Sequence, residues 1–432
     1  MENSIKVGLI GLGTIGGGVA DILNRKADFI TRQIGAPLVL TKVADLDETR
    51  KQSLPDPSVF TNDARSIIED PDIDIIIELI GGEKPARDFI EQALRNGKHV
   101  VTANKEVLAK HGPKLLNLAD EHKVGLFYEA SVGGGIPLIA PLKRNLQVNN
   151  ISAIHTIING TTNYILTRME KEGLEFATAL EEAQSLGYAE ADPTSDIEGF
   201  DAAYKISILS TIAFHTDIHP DDVYKEGISR ISSRDFSYAE ELGYAIKLLA
   251  ITRKEEGSIQ VRVHPVFIPN EMLLAKVDGV FNAVQIEGDL TGRVILYGRG
   301  AGSEPTANVV VADAIHIAQS INLDTSISPE LPLDQPKLIK PMAEIETRYY
   351  LRMTIGDQAG VLAQITRILG ELSISISSAI QKETDNRAQT AEIVIMTHPA
   401  KEQAMQQAIM QMKELEAVRE ISNLIRVEDF EE

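Results

Sequence analysis

The sequence predicts an α/β chain in three parts: a doubly wound parallel sheet, a second α+β sheet, and a small ferredoxin-like βαββαβ unit near the C-terminal end. Three observations predict it. Short apolar runs alternate with helical segments from Ile5 to Tyr128, the pattern of parallel strands joined by crossover helices. After residue 133 the alternation gives way to longer runs of period two. Beyond a proline-bearing stretch the order becomes strand, helix, strand, strand, helix, strand. The corresponding segments are 1–136 with 303–322, then 137–302, a linker at 323–346, and 347–428.

Residues 5–10 read as a buried strand leading into Gly11-Leu-Gly13-Thr14-Ile15-Gly16 and a helix over about 15–24. Gly11 allows a tight turn, Gly13 lets backbone approach a pyrophosphate, and Gly16 permits close helix–strand packing. The helix start at Thr14 and Ile15 offers unpaired N–H groups to the anion. This is the dinucleotide signature of a Rossmann-type sheet, and it begins the chain. A second strand at 38–44 ends in Asp45, where an acid binds a ribose 2′-OH; that favours NAD. Arg50 and Lys51 are near enough to reach a 2′-phosphate, which keeps NADP open.

The apolar run at 74–80 ends at Gly81-Gly82. A helix at 85–96 stops at Gly97, and a strand at 99–101 leads to Thr102-Ala-Asn-Lys105. Carboxyl ends of parallel strands are where such sheets place ligands. A cation at a helix start opposes the helix dipole, so Lys105 is a candidate functional residue. The pattern then predicts a helix to about 110, another at 113–122, and a strand at 124–128. In Glu129–Ile136, glycines let backbone carbonyls converge beside a carboxylate, donors suited to a monovalent hard cation or equally to a domain hinge. An apolar helix follows Gly135, then strands at 150–158, 259–267, 280–287 and 293–297, and helices near 201–215 and 237–250. The loop Gly298–Gly302 precedes a helix at 305–321 that returns to the first part. Pro329, Pro332, Pro336 and Pro341 mark the linker. The last unit reads as strand 347–355, helix 360–370, strands 374–381 and 389–397, helix 400–413 and strand 416–426.

The segment 187–205 carries the most chemistry. Glu190, Asp192, Asp196, Glu198 and Asp201 fall in a loop punctuated by glycine and proline, and Lys205 lies one helical turn after Asp201. By itself this is a solvated acidic loop with an i,i+4 pair; beside a nucleotide motif it suits a small cationic substrate. His99, His155, His215, His219 and His264 show no metal-ligand spacing and read as structural. The chain of 432 residues carries a formal net charge of −21, which disfavours nucleic acid and anionic membrane as partners. With no long apolar run and no leader-like segment, a cytoplasmic location is expected. Cysteine is absent, so thiohemiacetal chemistry at an aldehyde is excluded and direct hydride transfer is the simpler route.

Taken in order, Gly11–Gly16, Ala103-Asn104-Lys105, Glu129–Ile136, Asn159-Gly160-Thr161-Thr162-Asn163, the 187–205 string and Gly298–Gly302 resemble the homoserine dehydrogenase family over about 1–322. Residues 345–428 resemble an ACT regulatory domain, with Gly360-Val361-Leu362 at the turn into its first helix. The resemblance implies a substrate-binding catalytic and dimerisation domain at 137–302, and interconversion of L-homoserine and L-aspartate 4-semialdehyde in threonine, methionine and isoleucine biosynthesis. It implies Lys205 as proton donor, Lys105 as a second active-site lysine that also meets the cofactor, and Glu190, Asp201 and Asp196 as substrate-binding acids. Gly187 and Gly302 fall where backbone meets NAD or NADP. Glu129, with the carbonyls of Val132, Gly134 and Ile136, matches a sodium site. Many members carry a basic residue after the second strand, where this chain has Asp45. The resemblance further implies a homodimer or homotetramer, and L-threonine as effector of the ACT unit. Two other readings stand beside it: another cysteine-free nicotinamide enzyme acting on an amino acid, and a non-catalytic nucleotide- and amino-acid-sensing protein. The pair Lys105 and Lys205 separates the latter, since a sensor needs no proton donor.

Overall fold

In the computed structural model, which describes residues 4–327, 332–385 and 389–428, the chain divides into two units. One comprises Met1–Ser152, Tyr204–Asp221 and Ile286–Lys337; the other comprises Ala153–Ala203, Asp222–Gln285 and Leu338–Glu432.

The first unit holds a six-stranded sheet in the order Phe60–Thr61, Leu38–Ala44, Ile5–Ile10, Ile75–Glu78, His99–Thr102, Leu126–Phe127. Every neighbouring pair is parallel. The order reverses between Ile5–Ile10 and Ile75–Glu78, the switch point where doubly wound sheets open a ligand crevice. Strand residues here are apolar on both faces because helices cover both: Val7, Leu9, Ile75, Ile77 and Val101 are buried, with Val310, Ala314 and Ile317 of the helix Ser303–Asn322 in the same core. That helix is clamped to the glycine turn, Ser303 Oγ donating to the Thr14 carbonyl at 2.7 Å.

Two expected elements of this unit differ. The helices to 110 and at 113–122 form one helix, Lys105–His122, with Pro113 inside it. The proline withholds one N–H from the Ala109 carbonyl, and the buried apolar residues on both sides of it carry the helix through. The apolar helix expected after Gly135 is only a five-residue π-helical turn, Pro141–Asn145. Its approach is held instead by the buried Glu129, whose carboxylate accepts from the N–H groups of Leu138, Ile139 and Ala140 at 2.5, 2.7 and 2.6 Å.

The second unit is built on a sheet in the order Phe281–Gly288, Ile151–Ile157, Tyr244–Glu255, Ser258–Pro269, Val418–Val427, Glu346–Gly356, Thr390–Thr397, Ile376–Asp385. The helix expected over 237–250 stops at Leu242, where Gly243 turns left-handed (φ +83°), and Tyr244–Glu255 is a strand. Ala245 through Thr252 are all buried, and a strand covered on both faces loses the alternation that distinguishes it from a buried helix. The βαββαβ unit is present with its own core around Leu351, Ile365, Ile393 and Met405. It is not merely tethered. Its last strand pairs in parallel with Ser258–Pro269, Val266 opposite Arg426 and Phe267 opposite Val427. Of the expected linker, residues 328–331, Pro329 included, lie outside the described residues. Leu338 to Lys340 run beside Ile259, whose N–H donates to the Leu338 carbonyl at 2.7 Å.

Candidate active site

The nucleotide end of the first unit follows from its glycines. Gly11 sits at φ +98°, and a Cβ there would meet the Leu79 carbonyl group at 2.8 Å. A Cβ on Gly16 would lie 2.0 Å from the Gly11 carbonyl oxygen, so only glycine lets the helix Thr14–Arg25 start this close to the strand. Gly13 precedes that helix with no side-chain cap and no acid in the first turn. Thr14, Ile15 and Gly16 therefore present N–H groups that suit a pyrophosphate, and a dinucleotide fits these residues.

Asp45 ends its strand beside this turn. Its carboxylate accepts from the Leu12 N–H at 2.6 Å, from Asp47 N–H at 2.8 Å and from Arg50 Nη1 at 3.1 Å. Arg50 lies 3.6 Å from where a Gly13 Cβ would project. The acid and the base thus occupy the same corner.

Lys105 opens the helix Lys105–His122 directly after the strand His99–Thr102, half-buried, with Asn104 as N-cap accepting from Val107 N–H at 3.1 Å. In the glycine loop that follows, a Cβ on Gly134 would lie 2.3 Å from the Gly300 carbonyl oxygen, and Gly135 N–H donates to the Arg299 carbonyl. These glycines bring two backbone segments together within the unit. Gly302 is the N-cap of the returning helix, at φ +127°. Three N–H donors occupy the Glu129 carboxylate, which leaves the main-chain carbonyls of Val132, Gly134 and Ile136 as the main donors of the expected sodium set. Asp313 accepts the Glu129 N–H at 3.0 Å, and burial together with the Glu129 charge pushes its carboxyl up to about 7.

In the second unit the acidic segment sorts itself by partner. Asp192 accepts from Thr194 N–H and Oγ1 and holds the loop, which lowers its pKa. Glu198 accepts from Ser229 Oγ at 3.0 Å. Asp196 and Asp201 converge: Asn159 Nδ2 donates to Asp196 Oδ1 at 2.7 Å and to Asp201 Oδ2 at 2.8 Å. Asn159 is itself fixed as N-cap of the helix Gly160–Glu172, its Oδ1 accepting from Thr162 N–H at 2.8 Å. A single amide thus keeps two carboxylates aligned, one of them, Asp201, only 2% exposed. Glu190 is exposed, and among the described residues its side chain makes no hydrogen bond to that cluster. Gly187 ends the helix Phe176–Ser185 at φ +75°. Asp201 and Lys205 stand one turn apart on the helix Phe200–Phe214, Lys205 half-buried.

The sequence singles out Asn159-Gly160-Thr161-Thr162-Asn163 as a motif of the resemblance but gives Asn159 no role in the site, and it gives Arg50 only a secondary place. Both act through contacts distant in sequence or across a turn.

Models of known families match along the chain: a homoserine dehydrogenase NAD-binding domain over residues 11–129, a homoserine dehydrogenase domain over 137–315, and an ACT domain over 349–417. A homoserine dehydrogenase of Neisseria gonorrhoeae is 44% identical, with 99% of each chain covered. A crystal structure of a homoserine dehydrogenase from Thiobacillus denitrificans superposes with a TM-score of 0.91 at 45% identity, covering 99% of this chain and 98% of that one. A hyperthermophilic archaeal homoserine dehydrogenase described in complex with NADPH gives a TM-score of 0.63 at 31% identity over 73% of this chain and 97% of its own.

Proposed function

The chain belongs to the homoserine dehydrogenase family, and on that premise we propose how its residues divide the work of interconverting L-homoserine and L-aspartate 4-semialdehyde. What supports the division is the convergence of Asp196 and Asp201 on Asn159, one helical turn from Lys205. The two carboxylates, with Glu190 from the loop above, hold the ammonium group of the amino-acid substrate. Lys205 gives a proton to the carbonyl oxygen when the aldehyde is reduced and takes it back when the alcohol is oxidised. Lys105, as the second lysine, keeps the site positive as charge develops on oxygen.

The nicotinamide cofactor, when bound, supplies or accepts the hydride. Gly11, Gly13, Thr14, Ile15 and Gly16 hold its pyrophosphate, Asp45 its ribose, and Gly187 and Gly302 give backbone room beside it. Asp45 favours NAD, and Arg50 beside it leaves NADP usable. A sodium ion would take chiefly the main-chain carbonyls named above, and no catalytic step depends on it. Among the described residues no helix is long and apolar enough to cross a membrane; a cytoplasmic homodimer or homotetramer is the proposed form. The ACT unit takes an amino-acid effector, L-threonine, at the turn from Asp357 to Leu362, where Gly360 caps the helix Val361–Glu371 at φ +91°.

The test is reduction of NAD or NADP followed spectrophotometrically with L-homoserine as the varied substrate. Turnover that saturates with L-homoserine is expected. A protein that binds the cofactor yet turns over no homoserine fits the sensing role instead.

A further inference from the structure

Glu78 ends the strand Ile75–Glu78, between Ile10 and Thr102 on the neighbouring strands, and is completely buried. A buried carboxyl is costly unless its oxygens are used. Here they are. Oε1 accepts from Ile80 N–H at 2.7 Å, and Oε2 accepts from Thr102 Oγ1 at 2.6 Å. Thr102 Oγ1 in turn accepts from Asn104 N–H at 3.0 Å. Asn104 Nδ2 closes the loop, donating back to the carbonyls of Ile80 at 3.1 Å and Gly82 at 2.7 Å. Burial pushes the Glu78 carboxyl up to about 7 against the pull of its two donors.

This cycle ties together two backbone turns at the carboxyl edge of the sheet. One is Leu79–Gly82, whose first residue abuts Gly11 of the nucleotide turn. The other is Thr102–Lys105, where Asn104 caps the helix that Lys105 opens.

We propose that Glu78 is a positioning residue for the reaction: through Thr102 and Asn104 it sets the Lys105 turn against the Ile80–Gly82 loop, and so aims Lys105. This rests on Lys105 acting in the site as proposed above. A glutamine at 78 keeps one acceptor for the Ile80 N–H, but its amide donates where the second oxygen accepted, so the Thr102 hydroxyl must turn its proton away and the link between the two turns is reversed. Valine at 102 keeps the shape but breaks the cycle on both sides, whereas serine keeps the hydroxyl.

The experiment measures kcat, KM for L-homoserine and melting temperature for Glu78→Gln, Thr102→Val, Thr102→Ser and Lys105→Ala, and for Glu78→Gln combined with Lys105→Ala. Expected is a kcat drop of about tenfold or more in Glu78→Gln and Thr102→Val, with KM for homoserine within about threefold. Thr102→Ser recovers most of what Thr102→Val loses. On the Lys105→Ala background Glu78→Gln adds nothing, because the residue it aims is gone. If Glu78→Gln costs the full factor again on that background, or keeps kcat within twofold of wild type, the inference is wrong although Lys105 still acts. If Lys105→Ala is itself near wild type, the role given to Lys105 fails and the inference with it. Should Glu78→Gln not fold, the comparison of Thr102→Val with Thr102→Ser decides alone: equal kcat in the two overturns the proposal.

Discussion

Lys105 sits where a helix least favours a cation, and Asp201 is buried where a carboxylate needs a partner. Both discomforts are visible in residue type and position, which is why both were legible as site candidates from sequence. What was not legible is what holds them, since Glu78–Thr102 and Asn159–Asp201 join residues 24 and 42 positions apart. Lys205 follows Asp201 by one turn, so Lys205→Ala should lower turnover at least about 10²-fold with cofactor binding retained. Turnover within a fewfold of wild type, measured with homoserine saturating, would exclude it as the proton donor. Asp45 is the residue proposed to set the choice of cofactor. Its charge accepts from a 2′-OH and repels a 2′-phosphate, while Arg50, paired to it at 3.1 Å, attracts one. Kinetics with both cofactors should therefore give kcat/KM for NAD at least equal to that for NADP. Asp45→Asn, which frees Arg50, should shift the ratio toward NADP by about tenfold. A wild-type preference for NADP of tenfold or more would remove Asp45 from the ribose site.

Element by element, strands and helices with clear punctuation were read correctly from sequence, and the misreadings share a physical origin. Pro113 does not break its helix because tertiary burial of Leu108, Leu115 and Leu116 outweighs one lost hydrogen bond. Residues 244–250 of the strand Tyr244–Glu255 read as helical because burial on both faces erases its period. The strand Val418–Val427 shows how far packing goes beyond pattern, since charged residues at its end are buried. Glu428 accepts from Arg262 at 2.8 Å and Arg253 at 3.0 Å, with His155 at 3.3 Å. Burial alone would push its carboxyl up, but the Arg262 charge, with the His155 hydrogen bond and the Arg253 charge, outweighs it and holds the group well below the ordinary 4.5. A depressed carboxylate contributes stability above its unfolded value and loses it as pH falls toward its folded value. Thermal melts should therefore show wild-type stability falling steeply as pH drops below about 4.5. Glu428→Gln should be destabilised by about 3–5 kcal/mol at neutral pH, because Arg262 is left buried and unpaired, and its acid slope should be shallower. An unchanged slope in the variant would mean that Glu428 does not carry the acid sensitivity.

At the scale of the whole chain, the proline-bearing linker at 323–346 suggests a module that a cut within it, near Asp334, would remove cleanly. The pairing of Val418–Val427 with Ser258–Pro269 argues otherwise, because such a cut strips the edge of a central strand and leaves Arg262, Glu226 and Asp235 without their partners. Loss of activity after truncation would then report damage rather than regulation. Point variants ask the question better, and the geometry names the place. Arg426, 1% exposed on the last ACT strand, donates to both oxygens of Glu226 at 2.7 and 3.0 Å and to Glu402 at 2.6 and 2.8 Å. Glu226 begins the stretch whose next residues grip the acidic segment: Ile228 N–H donates to the Ile197 carbonyl at 2.9 Å, and Ser229 Oγ donates to Glu198 at 3.0 Å. Ile197 follows Asp196 directly. A shift of the ACT strand has a short mechanical route to the carboxylates proposed to hold the substrate. An effector that binds the less active arrangement better changes substrate affinity by a coupling of typically 1–3 kcal/mol, about 5- to 150-fold. Glu226→Gln weakens the strut without removing a side chain, so the threonine concentration for half-inhibition should rise at least about fivefold while kcat without threonine stays within about threefold. Titrating L-threonine against wild type and Glu226→Gln decides the matter: identical inhibition curves would show that the signal does not pass through Arg426, and a wild type indifferent to threonine would mean that L-threonine is not the effector of its ACT unit.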